Sequence, residues 1–323
     1  MSSLDAVPPV RGPADLPVAA SGRRSTSAAL VAGRWWRRRQ RGWSPIALLA
    51  PACLLFATFV IYPIIASLRL SLFDWDGIGA RTWIGLGNYR ELLADPAFHT
   101  ALANNVSWLL LFMLAPVGGL ALALLLNQQI RAIRLVRALF FFPFVISHVV
   151  VGLVFAWFFN AQFALLNEIL RWLGLAPVAL LEDETFATFA VIVAGLWPQI
   201  AYCMIIYLAG LATLDPQLVE AGRLDGASGW RLLWHVVLPQ LRAATYIAVI
   251  VSVVGALRSF DLVMTMTLGG PYDSSTVLAY YMYEQTFLAF RYGYGAAIAT
   301  VLFLIMNVCI ALVLWRMLRG ERA

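Results

Sequence analysis

Five stretches of this chain contain no Asp, Glu or Arg: residues 42–68, 96–130, 138–167, 185–214 and 292–315. A sixth follows Arg242 and reaches Leu257 before Arg258 and Asp261 interrupt it. A charged side chain is costly in hydrocarbon, and about 20 apolar residues are enough for a helix to cross it. Trimmed at turn residues, the pattern predicts spans at 46–68, 105–127, 138–160, 187–211, 241–265 and 294–316. The expected fold class is all-α, a polytopic membrane protein with six transmembrane helices and a helical segment outside the membrane.

That extra segment lies between the fourth and fifth spans, over 212–242, and is longer than a passive link requires. Asp215 is placed to cap a helix that starts at Pro216, where a missing N–H costs nothing. Leu218, Ala221 and Leu224 then recur at helical spacing, with Gln217, Glu220, Arg223 and Asp225 mostly on the other face. Gly226 ends this helix. A second one, from Gly229 to Val237, carries Trp230, Leu233 and Trp234, and Pro239 is expected to open the fifth span. An amphipathic object of this kind lies on lipid headgroups or is presented to a soluble partner.

With 62% of its residues hydrophobic and 12% charged, the chain is neither an ordinary globular enzyme nor disordered. All 23 basic residues are arginine, so no lysine is present for Schiff-base or Walker-type phosphate chemistry. With six spans both termini share a side. That side collects 17 of the arginines and six of the 17 acidic residues, which marks it as cytoplasmic. Residues 1–42, rich in Ala, Pro, Ser and Arg, are expected to be a disordered cytoplasmic tail, followed by a permease domain over 43–323. The first span reads as a retained helix rather than a signal peptide or a lipoprotein signal at Cys53. Cys53, Cys203 and Cys309 are spread through apolar runs as small hydrophobes, and His99, His148 and His235 fall in separate segments, so no metal is implied. The Glu182-Asp183-Glu184 triplet reads as a solvated helix start, and the sequon at Asn105 is discounted at a span boundary.

Taken whole, EAGRLDGASGWRLLWHVVLPQL resembles the cytoplasmic signature of ABC importer permeases at Glu220, Ala221, Gly226, Val236, Leu238 and Pro239. Gly222 stands where that family usually has Ala, which weakens the helix there by up to about 1 kcal/mol. Three further stretches resemble the carbohydrate-uptake permeases of the maltose and glycerol-3-phosphate type: Trp83 to Asn105, Phe260 to Pro271, and Tyr292 to Ala299. The likeness runs from about residue 45 to the C-terminus and is greatest to the first subunit of the usual permease pair. It implies that 215–239 is a coupling segment docking on an ATPase, with Glu220, Ala221, Gly222, Asp225, Gly226, Leu238 and Pro239 as its coupling residues.

Polar groups within spans usually face a cavity or another helix. The fourth span has Trp197, Pro198, Gln199 and Tyr202; the fifth has Tyr246 and Ser252. Interhelical packing accounts for any one of them, while aromatic rings beside hydrogen-bonding groups also suit a sugar. The resemblance places sugar contacts at Tyr202 and Ser252 and further contact positions at Gly195, Gln199 and Ala256. The hydrogen-bonding Asn of the maltose type is absent at Gly195 and Ala256, so the ligand is expected to differ. The expected substrate path is Trp197, Gln199, Tyr202, Ser252 and Ala256. Arg258 and Asp261, three residues apart, are expected to pair near the outer surface rather than touch substrate.

The expectation is therefore a permease subunit of an ATP-driven sugar importer in a prokaryotic inner membrane. Its implied partners are a second permease, two ATPase subunits, an extracytoplasmic solute-binding protein and membrane lipid, with no nucleic acid. ATP and Mg belong to the ATPase, and this chain carries no cofactor and no catalytic residue. Import of glycerol-3-phosphate or another polar solute is the alternative within the family. An amino-acid or peptide permease is disfavoured by the Gly-Gly-Pro and Gly-Asn-Tyr segments. A secondary transporter would place carboxylates near the centre of a span, and a lipid-modifying enzyme would converge acid, base or metal groups on one side.

Overall fold

The computed structural model describes residues 48–128, 131–161 and 165–320, and these are mostly helical. The tail expected over 1–42 and the start of the first span lie outside the described residues. The described residues divide into two units, one up to Pro63 and one from Ile64 onward. The boundary falls within helix α1 (Leu48–Leu70), which widens into a π turn at Ala57–Ile61 and exposes Leu54, Phe56 and Phe59.

After α1 come a two-stranded hairpin, β1 (Phe73–Asp74) with β2 (Thr82–Trp83), and α2 (Gly87–Ala94). Buried Asn88 on α2 donates from Nδ2 to the Ser71 and Phe73 carbonyls at 2.8 and 2.9 Å, tying the hairpin to the helix. This is the physical role of the Gly-Asn-Tyr stretch. Helices α3 (Pro96–Phe112) and α4 (Leu114–Leu126) follow one another across Met113. Next are α5 (Ile133–Val145), α6 (His148–Phe158), α7 (Leu165–Trp172) and the 26-residue α8 (Ala187–Ala212), which runs through Pro198. Asp183 accepts from the Thr185 and Phe186 amides in a turn ahead of α8, so the exposed acidic triplet precedes the helix rather than capping it.

Beyond α8 lie α9 (Pro216–Leu224), α10 (Gly229–Gln240), α11 (Arg242–Leu257), α12 (Phe260–Met266) and α13 (Leu278–Tyr283). A π turn at Glu284–Leu288 then leads to α14 (Tyr292–Gly320). By length and composition α1, the α3–α4 pair, α8 and α14 are each able to span a membrane, and two further pairs are bent.

Those bends correct two predicted spans. The span expected at 138–160 is α5 and α6 meeting at 94°. Ile146 is extended and Ser147 caps α6, accepting from the Val150 amide at 3.3 Å, so a local cap ends one helix and starts the next. The span expected at 241–265 is interrupted twice. Pro239 does not open it but sits in the last turn of α10, and α10 meets α11 at 76° across Leu241. Arg258 then ends α11 and Ser259 turns the chain into α12.

Helix α8 is central to the packing because small residues let neighbours approach. On one side Ala115, Ala123, Cys203, Met204, Tyr207 and Ala248 form a core shared with α4 and α11. On another, Trp108, Phe112, Val191, Ala256, Leu262 and Tyr280 join α3, α8, α11, α12 and α13. A third cluster links α2 and α3 to α13 and α14 through Leu92, Phe98, Tyr281, Tyr294 and Ile298.

The Gly-Gly-Pro connection between α12 and α13 is held as firmly as a helix. Asn104 donates to the Ser274 and Thr276 carbonyls at 2.6 and 2.8 Å, and Thr188 donates to Ser274 at 3.0 Å. Gly269 has φ +82°, and a Cβ there would stand 2.5 Å from Thr276 Oγ1, so the turn requires glycine. Asn105 is buried and accepts from the Leu278 amide at 2.8 Å, so the sequon asparagine is a packing group.

Asp95 caps α3 and also accepts from the hydroxyls of Tyr281 and Tyr294. Burial pushes its carboxyl up, but the two phenols and the Ala97 and Phe98 amides outweigh burial and hold it below the usual carboxylate range. A depressed folded-state pKa contributes stability above the unfolded value near 3.8, and this is lost as pH falls through the folded value. Asp95 is partly exposed, so solvent screening limits the contribution to about 1 kcal/mol. Asp95→Asn is therefore expected to lower Tm at pH 7 and to converge with the parent below pH ~3.8. Melting both proteins across that range in detergent checks it, and a constant gap at every pH would contradict the assignment.

Candidate functional site: a docking segment and a polar cavity

The segment between α8 and α11 forms as its sequence grammar predicts. Asp215 Oδ1 accepts from the Gln217 amide at 2.9 Å, with Pro216 in the first turn of α9. At the other end Gly226 adopts φ +84°; its amide reaches the Arg223 carbonyl at 3.1 Å and the Ala227 amide reaches Gly222 at 2.9 Å. This pair of bonds satisfies the last carbonyls of α9 and needs a left-handed residue at 226.

Gly222 has a second explanation. A Cβ there would stand 2.9 Å from Val236 Cγ2 and 3.2 Å from Leu232 Cδ1, so its bareness lets α10 fold closely over α9. Gln240, whose role no local sequence pattern signals, closes the loop: its Oε1 accepts from the Asp215 amide at 3.1 Å while its Nε2 donates to the Val236 carbonyl. The result is a braced unit with its apolar groups outward. Leu218 is 53% and Leu224 89% exposed, and Trp230 and Trp234, at 70% and 53%, meet edge to face. Glu220, Ala221 and Asp225 are exposed beside them, while Leu238 is half-buried and Pro239 exposed at the return.

A cavity of about 450 Å³ opens among α3, α5, α6, α8, α11 and α12. Two of the expected path residues, Gln199 and Tyr202, line it. Tyr202 stacks on Phe144 at 4.5 Å with 14° between the rings, which leaves its other face for a ligand. Ser252 and Ala256 are fully buried and do not line it. Ser252 instead accepts from Gln199 Nε2 at 3.1 Å and donates to the Ala248 carbonyl at 2.8 Å, so it orients the amide from behind. Gly255 leaves room for that amide, since a Cβ would stand 3.1 Å from Gln199 Oε1. Ala256 packs in the core with Trp108 and Leu262. Gly195 is likewise a packing position, where a Cβ would meet Leu262, Phe112 and Trp108 at 3.0 Å. Trp197 lines a different, apolar groove with Leu122, Phe140 and Pro143.

His148, Arg258, Ser259 and Asp261 also line the cavity. The expected Arg258–Asp261 pair does not form. Among the described residues the ion pairs are Arg171–Glu168 and Arg291–Glu91. The break at Ser259 separates the two positions onto different helices and cancels their helical spacing. Charge spacing alone suggested a pair; only the break shows that both groups face a shared space.

Residues 115–318 match the family model described as "Binding-protein-dependent transport system inner membrane component". The chain is 32% identical over 296 residues to the sulfoquinovosyl glycerol transport system permease of Agrobacterium fabrum, covering 89% of this chain and 95% of that protein. It is 32% identical over 274 residues to the lactose transport system permease of Rhizobium radiobacter, covering 83% and 90%. The fold is similar to a chain of a bacterial ABC transporter involved in the import of the acidic polysaccharide alginate, with a TM-score of 0.77 at 22% identity, covering 88% of this chain and 99% of that one. A family match over nearly two thirds of the sequence, together with relatives matched along almost their whole length, is a shared architecture rather than a shared motif: the chain belongs to the binding-protein-dependent transport system inner membrane components.

Proposed function

We propose that the chain is the permease subunit of an ATP-driven sugar importer, forming part of the solute path and receiving the force of ATP hydrolysis through α9 and α10. The observation that carries the coupling half is the braced α9–α10 unit, whose exposed leucines and tryptophans fit a groove on a soluble ATPase. The sugar half is supported by the transport names of its relatives and by a cavity combining the Tyr202 ring with the Gln199 amide.

In this reading a second permease completes the path, two ATPase subunits bind below it, and an extracytoplasmic solute-binding protein delivers the sugar. ATP and Mg act on the ATPases. ATP favours the closed ATPase dimer, which draws the coupling segments together and shifts the spans toward the outward-open state. The arginine bias supports a cytoplasmic side for both termini and the α9–α10 unit, with the spans in a prokaryotic inner membrane in this reading.

The test is to purify the transporter through a tag on this chain, reconstitute it with its solute-binding protein and measure ATP hydrolysis across a panel of sugars, amino acids and peptides. Stimulation of several-fold by one or more sugars is expected. Stimulation by amino acids or peptides alone would overturn the sugar assignment.

A further inference from the structure

The cavity holds a permanent cation that makes no ion pair among the described residues. Arg258 lines the cavity at the C-terminal end of α11 and makes no ion pair, and its side chain lies beyond 4.0 Å of every carboxylate among the described residues. Helix α11 has 16 residues, so Arg258 stands about 24 Å along its axis from Arg242, toward the opposite side of a hydrocarbon core about 30 Å thick. The guanidinium is exposed on the cavity wall, where an anionic group of an arriving solute can pair with it.

The remaining polar groups restrict what such a solute carries. Gln199, His148 and Tyr202 line the same space and offer donors as well as acceptors. Among the described residues Asp261, on the other side of the break, is the carboxylate lining it and suits hydroxyl donors. Phe144 and Tyr202 add an aromatic surface. A guanidinium fork matches two oxygens of a carboxylate, phosphate or sulfonate, and it remains charged at every physiological pH.

We infer that the solute is a sugar derivative bearing one acidic group, which binds Arg258 in the cavity while its hydroxyls bind Asp261 and Gln199. The inference rests on the sugar-importer reading and narrows it. It also assigns Arg258 a role in selecting substrate rather than in holding α12.

The experiment uses the membrane complex, purified through a tag on this chain without the solute-binding protein and placed in phosphatidylcholine nanodiscs, so that the selectivity read is the cavity's own. Binding of D-glucuronate, D-galacturonate and D-glucose 6-phosphate is compared with that of D-glucose and D-galactose. At least one acidic sugar is expected to bind about tenfold or more tightly than its neutral counterpart. Arg258→Gln is expected to bring that ratio to about one, and Arg258→Lys, which keeps the charge, to retain part of it. If Arg258→Gln fails to fold, loss of the ratio in a folded Arg258→Met variant serves equally.

Equal or tighter binding of neutral sugars overturns the acidic assignment and leaves the sugar-importer reading intact. A preference for acids that survives Arg258→Gln overturns the role of Arg258. If acidic sugars do not bind, and labelled phosphatidylglycerol added to the nanodiscs is retained by the parent but not by Arg258→Gln, the guanidinium is a lipid contact and the inference fails. Binding of no sugar also overturns it, and the importer reading then stands or falls on the ATP hydrolysis panel.

Discussion

Replacing Leu218 and Leu224 together by Asp is expected to abolish ATP-driven uptake while the spans remain folded. Both side chains lie on α9, 53% and 89% exposed, so neither supports the chain's own core. Substitutions at such positions change stability by within about 0.5 kcal/mol. Docked into a partner's groove, the same leucines would be anchors. Losing two anchors worth about 2 kcal/mol each weakens association roughly a thousandfold, before the cost of burying two carboxylates is added. Co-purification of the ATPase through a tag on this chain, sugar-stimulated ATP hydrolysis and Tm in detergent are the three readouts. The first two should collapse and the third should hold. Uptake at the parental rate by this double variant would remove α9 from the coupling path.

Gly119→Val is expected to fail in the opposite way, losing the fold before any question of coupling arises. A Cβ at Gly119 on α4 would stand 2.4 Å from Cys203 Cβ and 2.7 Å from the Met204 backbone nitrogen on α8. Backbone cannot rotate aside as a long side chain does, so the two helices must separate. Separation opens the core that Ala115, Ala123, Met204 and Tyr207 close. Overpacking alone costs about 1–3 kcal/mol, and the gap left along the helix pair adds to it. Little protein should survive extraction and a size-exclusion column. Gly119→Ala should lie between parent and valine, and adding Cys203→Gly should recover part of the alanine variant's Tm by removing the nearest atom. Parental Tm and yield for Gly119→Val would show that the spans do not meet at this glycine.

The docking segment was the most legible part of the chain, because its signals are local. Asp215 with Pro216 at one end of a helix and Gly226 at the other are capping chemistry read from a few neighbouring residues, and all three act in those roles. Gly222 shows where local reading stops. Within one helix it looks like a weak position, and only the approach of Val236 explains it.

The cavity was legible in part. Gln199 and Tyr202 line it, but Ser252 and Ala256 lie behind its wall, because a shift of one residue, about 100° around a buried helix, separates a lining residue such as Val251 or Gly255 from a packing one. Apolar composition on all sides of a span gives no periodicity from which to tell them apart. Arg258 and Asp261 were misjudged for a related reason, since i, i+3 spacing implies proximity only while the helix continues.

The sequence by itself determined an all-helical membrane architecture, the charge bias between its two sides and the amphipathic segment ahead of the fifth span. Those follow from the cost of charge in hydrocarbon and from capping, which act over a few residues. Tertiary structure alone decided where the apolar runs bend, which polar side chains share one cavity and which glycines are contacts. These depend on residues far apart in the chain and on the exact phase of each helix, which an almost uniformly apolar sequence does not record.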